Sequence, residues 1–164
     1  MALWDKVKKA LVGDAPTPEA KPAKPASEPA AAAAPAPPDG DVGDYKSCIV
    51  KAGPRGWGGP LTIQPTTKRK YIYSVTGGGI HPVAQKIADI TGATPFDGFS
   101  SKADFEELAV AVIDCGGTAR VGVYPMKGIP TIDVHAATPS GPLMKYIEET
   151  NFVSAVGVNQ VEPA

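Results

Sequence analysis

Residues 108–120 read Leu-Ala-Val-Ala-Val-Ile-Asp-Cys-Gly-Gly-Thr-Ala-Arg. The first six are apolar and rich in β-branched side chains, a pattern typical of a strand that is buried on both faces of a sheet. Strands of this kind belong to parallel sheets, in which strands alternate along the chain with helices. We therefore predict an α/β fold with a mostly parallel or mixed sheet flanked by helices.

The chain after residue 44 shows this alternation of strand and helix patterns. Helical spacing of apolar residues begins at His81-Pro82 and stops at Gly92, because proline suits the first turn of a helix and glycine commonly follows the last. Two further helices are predicted at residues 102–107 and 141–149. Besides 108–113, strands are predicted at residues 45–52, 61–64, 70–76, 121–124, 129–134 and 153–158.

The N-terminal part of the chain has a different composition. Residues 1–13 place apolar and charged side chains on opposite sides of a short amphipathic helix. Residues 14–40 contain eight Pro and ten Ala, a composition typical of an extended, disordered spacer. We therefore divide the chain into a helix at 1–13, a linker at 14–43 and a single folded domain at 44–164.

Charge and composition exclude several classes of function. The 16 basic and 17 acidic residues form no basic block, so we expect no nucleic acid partner. The apolar runs are shorter than the roughly 20 residues of a membrane span, which favours a cytoplasmic protein. Two Cys are too few for a disulfide framework, and two Cys and two His at unrelated spacings predict no metal site.

Cys115 is the sharpest candidate for chemistry, because it directly follows the predicted buried strand. Ligands of α/β sheets bind beyond the carboxyl ends of the strands. Gly116 and Gly117 would let backbone N–H groups converge on an anion, Thr118 adds a hydroxyl, and Arg120 could pair with phosphate. These neighbours would make Cys115 a nucleophile. The alternative is a buried cysteine that only packs.

A second candidate anion site lies in residues 74–82, Ser-Val-Thr-Gly-Gly-Gly-Ile-His-Pro. A strand, a glycine loop and a helix start follow one another here, and helix N-termini bind anions. Gly78, Gly79 and His81 would line such a site. The alternatives are a tight turn that needs glycines and a histidine that only begins the helix. His135 has no neighbours that form a metal or catalytic pattern.

Two further features have structural interpretations beside functional ones. The loop at residues 53–60 carries Arg55 and Trp57, residue types favoured at interaction surfaces, but Trp57 would equally cover the core of its own domain. Cys48 lies in a predicted strand with nothing nearby to activate it. We assign Cys48 to packing.

Several motifs of the domain together resemble one known family, the IIB domain of the glucitol/sorbitol-specific enzyme II of the bacterial sugar phosphotransferase system. The similarity covers about residues 46–160. It rests on Gly-Trp-Gly-Gly-Pro-Leu at 56–61, Val-Thr-Gly-Gly-Gly-Ile-His-Pro-Val-Ala-Gln-Lys-Ile-Ala at 75–88, Asp-Gly-Phe at 97–99, Val-Ile-Asp-Cys-Gly-Gly-Thr-Ala-Arg at 112–120, Ile-Pro-Thr-Ile at 129–132 and Ser-Gly-Pro-Leu at 140–143.

The resemblance implies a phosphotransferase that acts as a phosphoryl relay. A phosphohistidine on a IIA protein would phosphorylate Cys115, which would pass the group to a polyol bound by the membrane component IIC. Gly116, Gly117, Thr118 and Arg120 would then surround the phosphate. The scheme implies no cofactor. A cysteine phosphatase is a poorer match. The loop of tyrosine phosphatases has five residues between its cysteine and its arginine, whereas only four separate Cys115 from Arg120.

The chain departs from the family pattern in two places. Val121 stands where relatives often carry a second cysteine, and no span follows the domain, so we expect IIC to be a separate polypeptide. Residues 1–43 lie outside the pattern. Their helix resembles peptides that direct enzymes into bacterial microcompartments; a membrane-surface anchor and an ordinary extension are the alternatives. The competing function is a non-catalytic scaffold recruited through this helix.

Overall fold

The computed structural model describes residues 40–115 and 122–164. In these residues the chain forms eight β-strands and two α-helices. They are β1 Cys48–Val50, β2 Leu61–Ile63, β3 Tyr71–Val75, α1 Pro82–Thr91, β4 Thr94–Asp97, β5 Leu108–Ile113, α2 Val123–Met126, β6 Thr131–Asp133, β7 Phe152–Val153 and β8 Val161–Pro163. The predicted helix at residues 1–13 and most of the predicted linker lie outside the described residues.

Five parallel strands form the larger sheet, in the order β4-β3-β5-β6-β7. All six residues of β5 are buried, as expected for a central strand covered on both faces. The predicted α/β class with a mostly parallel sheet is thereby confirmed. The chain runs outward from β3 to β4 and then returns to the other side of β3 at β5, so the direction of winding reverses between β3 and β5.

A smaller antiparallel sheet, in the order β2-β1-β8, completes the domain. Helix α1 contacts β3 and β4 of the parallel sheet and also β1 and β8 of the antiparallel sheet. Its buried residues are Val83, Ala84, Ile87, Ala88 and Thr91, which recur at helical spacing and form the face that packs on the sheets. The helix therefore belongs to one apolar core with both sheets.

Helix α1 has the boundaries that its end residues predict. Pro82 occupies the first turn, and the Nδ1 atom of His81 accepts a hydrogen bond from the Val83 N–H at 3.2 Å. Gly92 ends the helix with φ +79°, a left-handed conformation that glycine adopts without a steric penalty. The predicted start and stop of α1 are confirmed.

Two strands were not predicted, because each contains a proline. Strand β4 carries Pro95 and lies at one edge of the parallel sheet, and β8 ends at Pro163 beside β1. Proline cannot donate a hydrogen bond to a sheet, so it is tolerated at edges and strand ends and weakens the strand pattern in the sequence.

Three predicted elements are wrong in type or extent. The predicted strand at 121–124 is replaced, in its described part, by helix α2, which starts at Val123. A short apolar run does not distinguish a strand from a buried turn of helix. The predicted helices at 102–107 and 141–149 shrink to single 3-10 turns at Phe105–Glu107 and Met144–Tyr146.

The last predicted strand, at residues 153–158, has its start confirmed and its extent corrected. Strand β7, Phe152–Val153, is the edge of the parallel sheet, and the following residues turn into a 3-10 helix at Val158–Gln160. No helix in the described residues is long and apolar enough to cross a membrane.

Candidate active site

The candidate site lies at the carboxyl end of the parallel sheet, where the winding reverses. Val75, the last residue of β3, pairs with Ile113, the last residue of β5. The glycine loop at residues 77–79 and Cys115 therefore leave the sheet from neighbouring strands at the same level. A crevice at such a reversal is the usual ligand position of α/β sheets. The structure thus brings together the two regions that the sequence marks as candidates.

Cys115 lies at the border between the core and solvent. It is half-buried and packs against an apolar cluster formed by Ile113, Ile147 and Phe152. Its backbone N–H donates a hydrogen bond to the Oδ1 atom of Asp133 at 3.3 Å. Cys115 therefore shares some of the packing expected of a structural cysteine, but it is not enclosed.

Cys48 is more deeply buried than Cys115. It is fully buried in β1 within the main core, and burial raises its pKa to about 12. A thiol with such a pKa is almost entirely protonated near neutral pH and is therefore a poor nucleophile. The assignment of Cys48 to packing is confirmed.

Asp133 is a site residue that the sequence analysis missed. It ends β6, is fully buried, and accepts hydrogen bonds at Oδ1 from the N–H groups of Cys115 and His135, at 3.3 and 2.9 Å. Its Oδ2 atom has no hydrogen-bond partner among the described residues. Burial raises the pKa of Asp133 to about 6, although the two N–H donors and the nearby His135 lower it. A charged residue within the predicted strand at 129–134 is the signal that points to it.

His135 has a partner that its sequence neighbours do not reveal. Its Nε2 atom lies 2.5 Å from Oδ1 of Asp114. The two residues are brought together because β5 and β6 are adjacent and parallel, with Ile113 opposite Asp133. The sequence analysis did not predict this pair, whose acidic member, Asp114, directly precedes Cys115 in the chain.

The glycine loop after β3 is held by hydroxyl groups at the end of that strand. Ser74 Oγ accepts a hydrogen bond from the His81 N–H at 3.0 Å and donates one to the carbonyl of Gly79 at 3.2 Å. The loop therefore folds back on its own strand. A Cβ atom added at Gly78 or Gly79 would meet no other atom within 4 Å, so their backbone faces open space.

His81 caps helix α1, which supports its structural interpretation. Its role in phosphate binding stays a prediction. Gly116, Gly117, Thr118 and Arg120 lie outside the described residues. Their predicted positions around a phosphate remain predictions.

Trp57 covers the core of its own domain. The Trp57 ring centroid lies 6.1 Å from that of Phe152, and the backbone N–H of Trp57 donates a hydrogen bond to Ser154 Oγ at 2.8 Å. The loop runs so close to β7 that a Cβ at Gly58 would overlap the carbonyl oxygen of Phe152. The contacts of Trp57 thus match the packing interpretation.

No cluster of three or more His, Cys, Asp or Glu side chains suited to a metal ion occurs in residues 40–115 and 122–164. The described residues of the candidate site provide one thiol, two carboxyl groups and two imidazoles, and the backbone faces open space at two glycines. These are Cys115, Asp114, Asp133, His81, His135, Gly78 and Gly79.

Comparisons with known proteins identify the family. The family model described as the N-terminus of sorbitol phosphotransferase enzyme II matches residues 47–164. A PTS system glucitol/sorbitol-specific EIIB component from Clostridium beijerinckii is 43% identical over 121 residues, which cover 73% of this chain and 36% of that protein. The chain thus spans about a third of the length of this relative. No solved structure matches the chain. The matched region is the whole of the two-sheet domain with its cysteine-bearing edge, and the chain belongs to the family of sorbitol phosphotransferase enzyme II N-terminal domains.

Proposed function

We propose that this domain is a phosphoryl carrier of a glucitol/sorbitol phosphotransferase system and that Cys115 carries the phosphoryl group. The observation that supports this most is the position of Cys115 at the strand reversal, beside the loop at residues 77–79. The name of the Clostridium relative supports the polyol class.

The first proposed step loads the carrier. The sulfur of Cys115 attacks the phosphorus of a phosphohistidine on a IIA protein, so that an S–P bond forms and an N–P bond breaks. The thiol proton ends on the released imidazole. Cys115 suits this step better than Cys48, because a half-buried thiol is accessible to another protein and a fully buried thiol is not.

The second proposed step unloads the carrier. A hydroxyl oxygen of a polyol held by the membrane component IIC attacks the same phosphorus, an O–P bond forms, and the S–P bond breaks. The hydroxyl proton returns to the sulfur. The reaction therefore regenerates the thiol and consumes no cofactor.

The charge of the transferring group needs hydrogen-bond donors. Phosphoryl transfer spreads negative charge over three equatorial oxygens, and preorganised N–H groups and arginine stabilise it. We assign this role to the backbone of Gly78, Gly79, Gly116 and Gly117, with Thr118 and Arg120 as side-chain donors. The open space over Gly78 and Gly79 is consistent with an anion there. We also assign His81 to phosphate binding, because it lies at the start of α1, directly after this glycine loop.

Intact mass spectrometry tests the assignment. The chain is incubated with phosphoenolpyruvate, the general phosphotransferase proteins and a sorbitol-type IIA protein. We expect one phosphoryl adduct on the wild type and on Cys48→Ala, the matched control, and none on Cys115→Ser. Since the control retains Cys115 and alters only a packing cysteine, it separates loss of the carrier from loss of a thiol.

The other outcomes identify what is wrong. An adduct that survives Cys115→Ser would reject Cys115 and direct attention to His81 and His135. No adduct on the wild type, with IIA shown to be phosphorylated, would reject the relay and favour the non-catalytic scaffold.

A further inference from the structure

We propose that Asp133 is a positioning residue for phosphoryl transfer at Cys115, acting through the hydrogen bond between its Oδ1 atom and the Cys115 backbone. This inference rests on the proposed function of Cys115. It concerns how the chain holds the carrier residue and not which residue carries the group.

The contacts of Asp133 link the two segments that follow strands β5 and β6. Strands β5 and β6 end opposite each other at Ile113 and Asp133, and Val134 N–H donates to the Ile113 carbonyl at 3.0 Å. Beyond that point the parallel ladder ends. Oδ1 of Asp133 accepts hydrogen bonds from the N–H groups of Cys115, which follows β5, and His135, which follows β6. A single carboxyl oxygen thereby sets where Cys115 leaves the sheet.

The accessibility of the two residues suits such a role. Asp133 is fully buried and Cys115 is half-buried, so a rigid group under the surface holds a reactive group at the surface. Alignment of reacting atoms is sensitive to position, and a displacement of about 1 Å can slow a reaction by about 100-fold. The backbone bond from Asp133 is a direct means of limiting that displacement.

The carboxyl group of Asp133 is buried beside two titratable side chains. Oδ2 is buried and lacks a partner among the described residues, and a buried polar atom without a hydrogen bond destabilises the fold. The groups that act on the carboxyl electrostatically are His135, which favours its ionised form, and Asp114, which disfavours it.

The carboxyl group of Asp133 is compatible with a phosphoryl group on Cys115. A phosphoryl group on Cys115 would bring further negative charge close to Asp133, and a neighbouring negative charge disfavours ionisation of a carboxyl. Since burial already raises the pKa of Asp133 to about 6, proton uptake can relieve the repulsion without breaking the bond to Oδ1. An amide at this position should therefore be tolerated.

A pair of near-isosteric variants tests the proposal. Asp133→Asn keeps an oxygen that accepts the Cys115 N–H, whereas Asp133→Leu fills the same space without an acceptor. The measurement is the rate at which phospho-IIA phosphorylates Cys115 in the full chain. We expect Asp133→Asn to stay within about threefold of the wild type and Asp133→Leu to fall about 10- to 100-fold.

A destabilised control separates positioning from loss of fold. Ile132→Val removes one methylene from the neighbouring, fully buried residue of β6, and such a change lowers the stability of the fold without removing a hydrogen-bond acceptor. We expect its transfer rate to match the wild type. Where Asp133→Leu does not fold, Asp133→Ala replaces it as the variant without an acceptor.

The remaining outcomes overturn one proposal or the other. An unchanged rate in the variant without an acceptor would overturn the positioning role while leaving the carrier role of Cys115 intact. Equal loss in Asp133→Asn and Asp133→Leu would also overturn it, because the acceptor oxygen would then not be the property that matters. A wild type that takes no phosphoryl group would instead reject the proposed function.

Discussion

Asp133 gives the domain a pH dependence of stability that can be worked out from its environment. Burial raises its pKa from 3.8 to about 6. Between those values the folded state holds a proton that the unfolded state has released. The contribution of Asp133 to stability is therefore largest below about pH 4, falls as the pH rises to about 6, and then levels off. A pKa difference of about 2 corresponds to about 3 kcal/mol, a large part of the 5–15 kcal/mol typical of a domain.

Replacement of the titrating group isolates this effect. The free energy of unfolding is measured by urea denaturation from pH 4 to pH 8 for the wild type, Asp133→Asn and Asp133→Leu. Each variant carries a constant offset from its altered hydrogen bonds and packing. Measured against the wild type, each should gain about 2.4 kcal/mol between pH 4 and pH 7, because neither can ionise.

The agreement of the two variants is the internal control. Asn and Leu differ in polarity but share the absence of a titratable group, so their curves should be parallel. A difference from the wild type that stays constant with pH would refute the reasoning. A difference that grows toward low pH would refute its sign, and would indicate that the folded state favours the ionised carboxylate.

Two further predictions concern the cysteines and a glycine. With iodoacetamide at pH 8, the native chain should take one adduct, on Cys115, because Cys48 is fully buried with a pKa of about 12; in denaturant both should react, and modification of Cys48 in the native chain, located by peptide mass, would contradict the assignment. Gly58→Ala should destabilise the domain clearly more than Gly128→Ala in thermal unfolding. Both glycines have φ near +75°, at +78° and +71°, which alone costs about 1–2 kcal/mol for alanine. A Cβ at Gly58 would also overlap the Phe152 carbonyl, whereas one at Gly128 would meet nothing within 4 Å; equal losses would show that the loop and β7 can move apart.

The elements predicted best are those whose signal is complete within a few residues. Strand β5 is apolar throughout, and its observed bounds match the predicted ones. Helix α1 is bounded by His81-Pro82 and Gly92, whose side chains and backbone make the caps themselves. Strand β5 and helix α1 both depend on residues that are close together in the chain, so their positions can be predicted from the sequence.

The elements predicted poorly are short and depend on distant partners. Strand β8 has three residues and includes Pro163, and its pairing partner β1 lies more than a hundred positions earlier. Helix α2 contains an apolar run that is equally compatible with a strand; Tyr124 in it contacts the rings of Tyr73 and Phe105. Such packing overrides weak local preferences.

The sequence by itself determined the α/β class, the buried strand β5 and a cysteine two residues beyond its end, because apolar patterning and chain punctuation are local properties. Only the tertiary structure decided that β3 and β5 are neighbours at a reversal of winding, that Asp133 accepts the N–H of Cys115, and that His135 pairs with Asp114. These relations join residues that are 18 or more positions apart, and they arise from the order in which strands pack into a sheet. The order of the strands depends on burial of the whole hydrophobic core, and residues from distant parts of the chain contribute to that core.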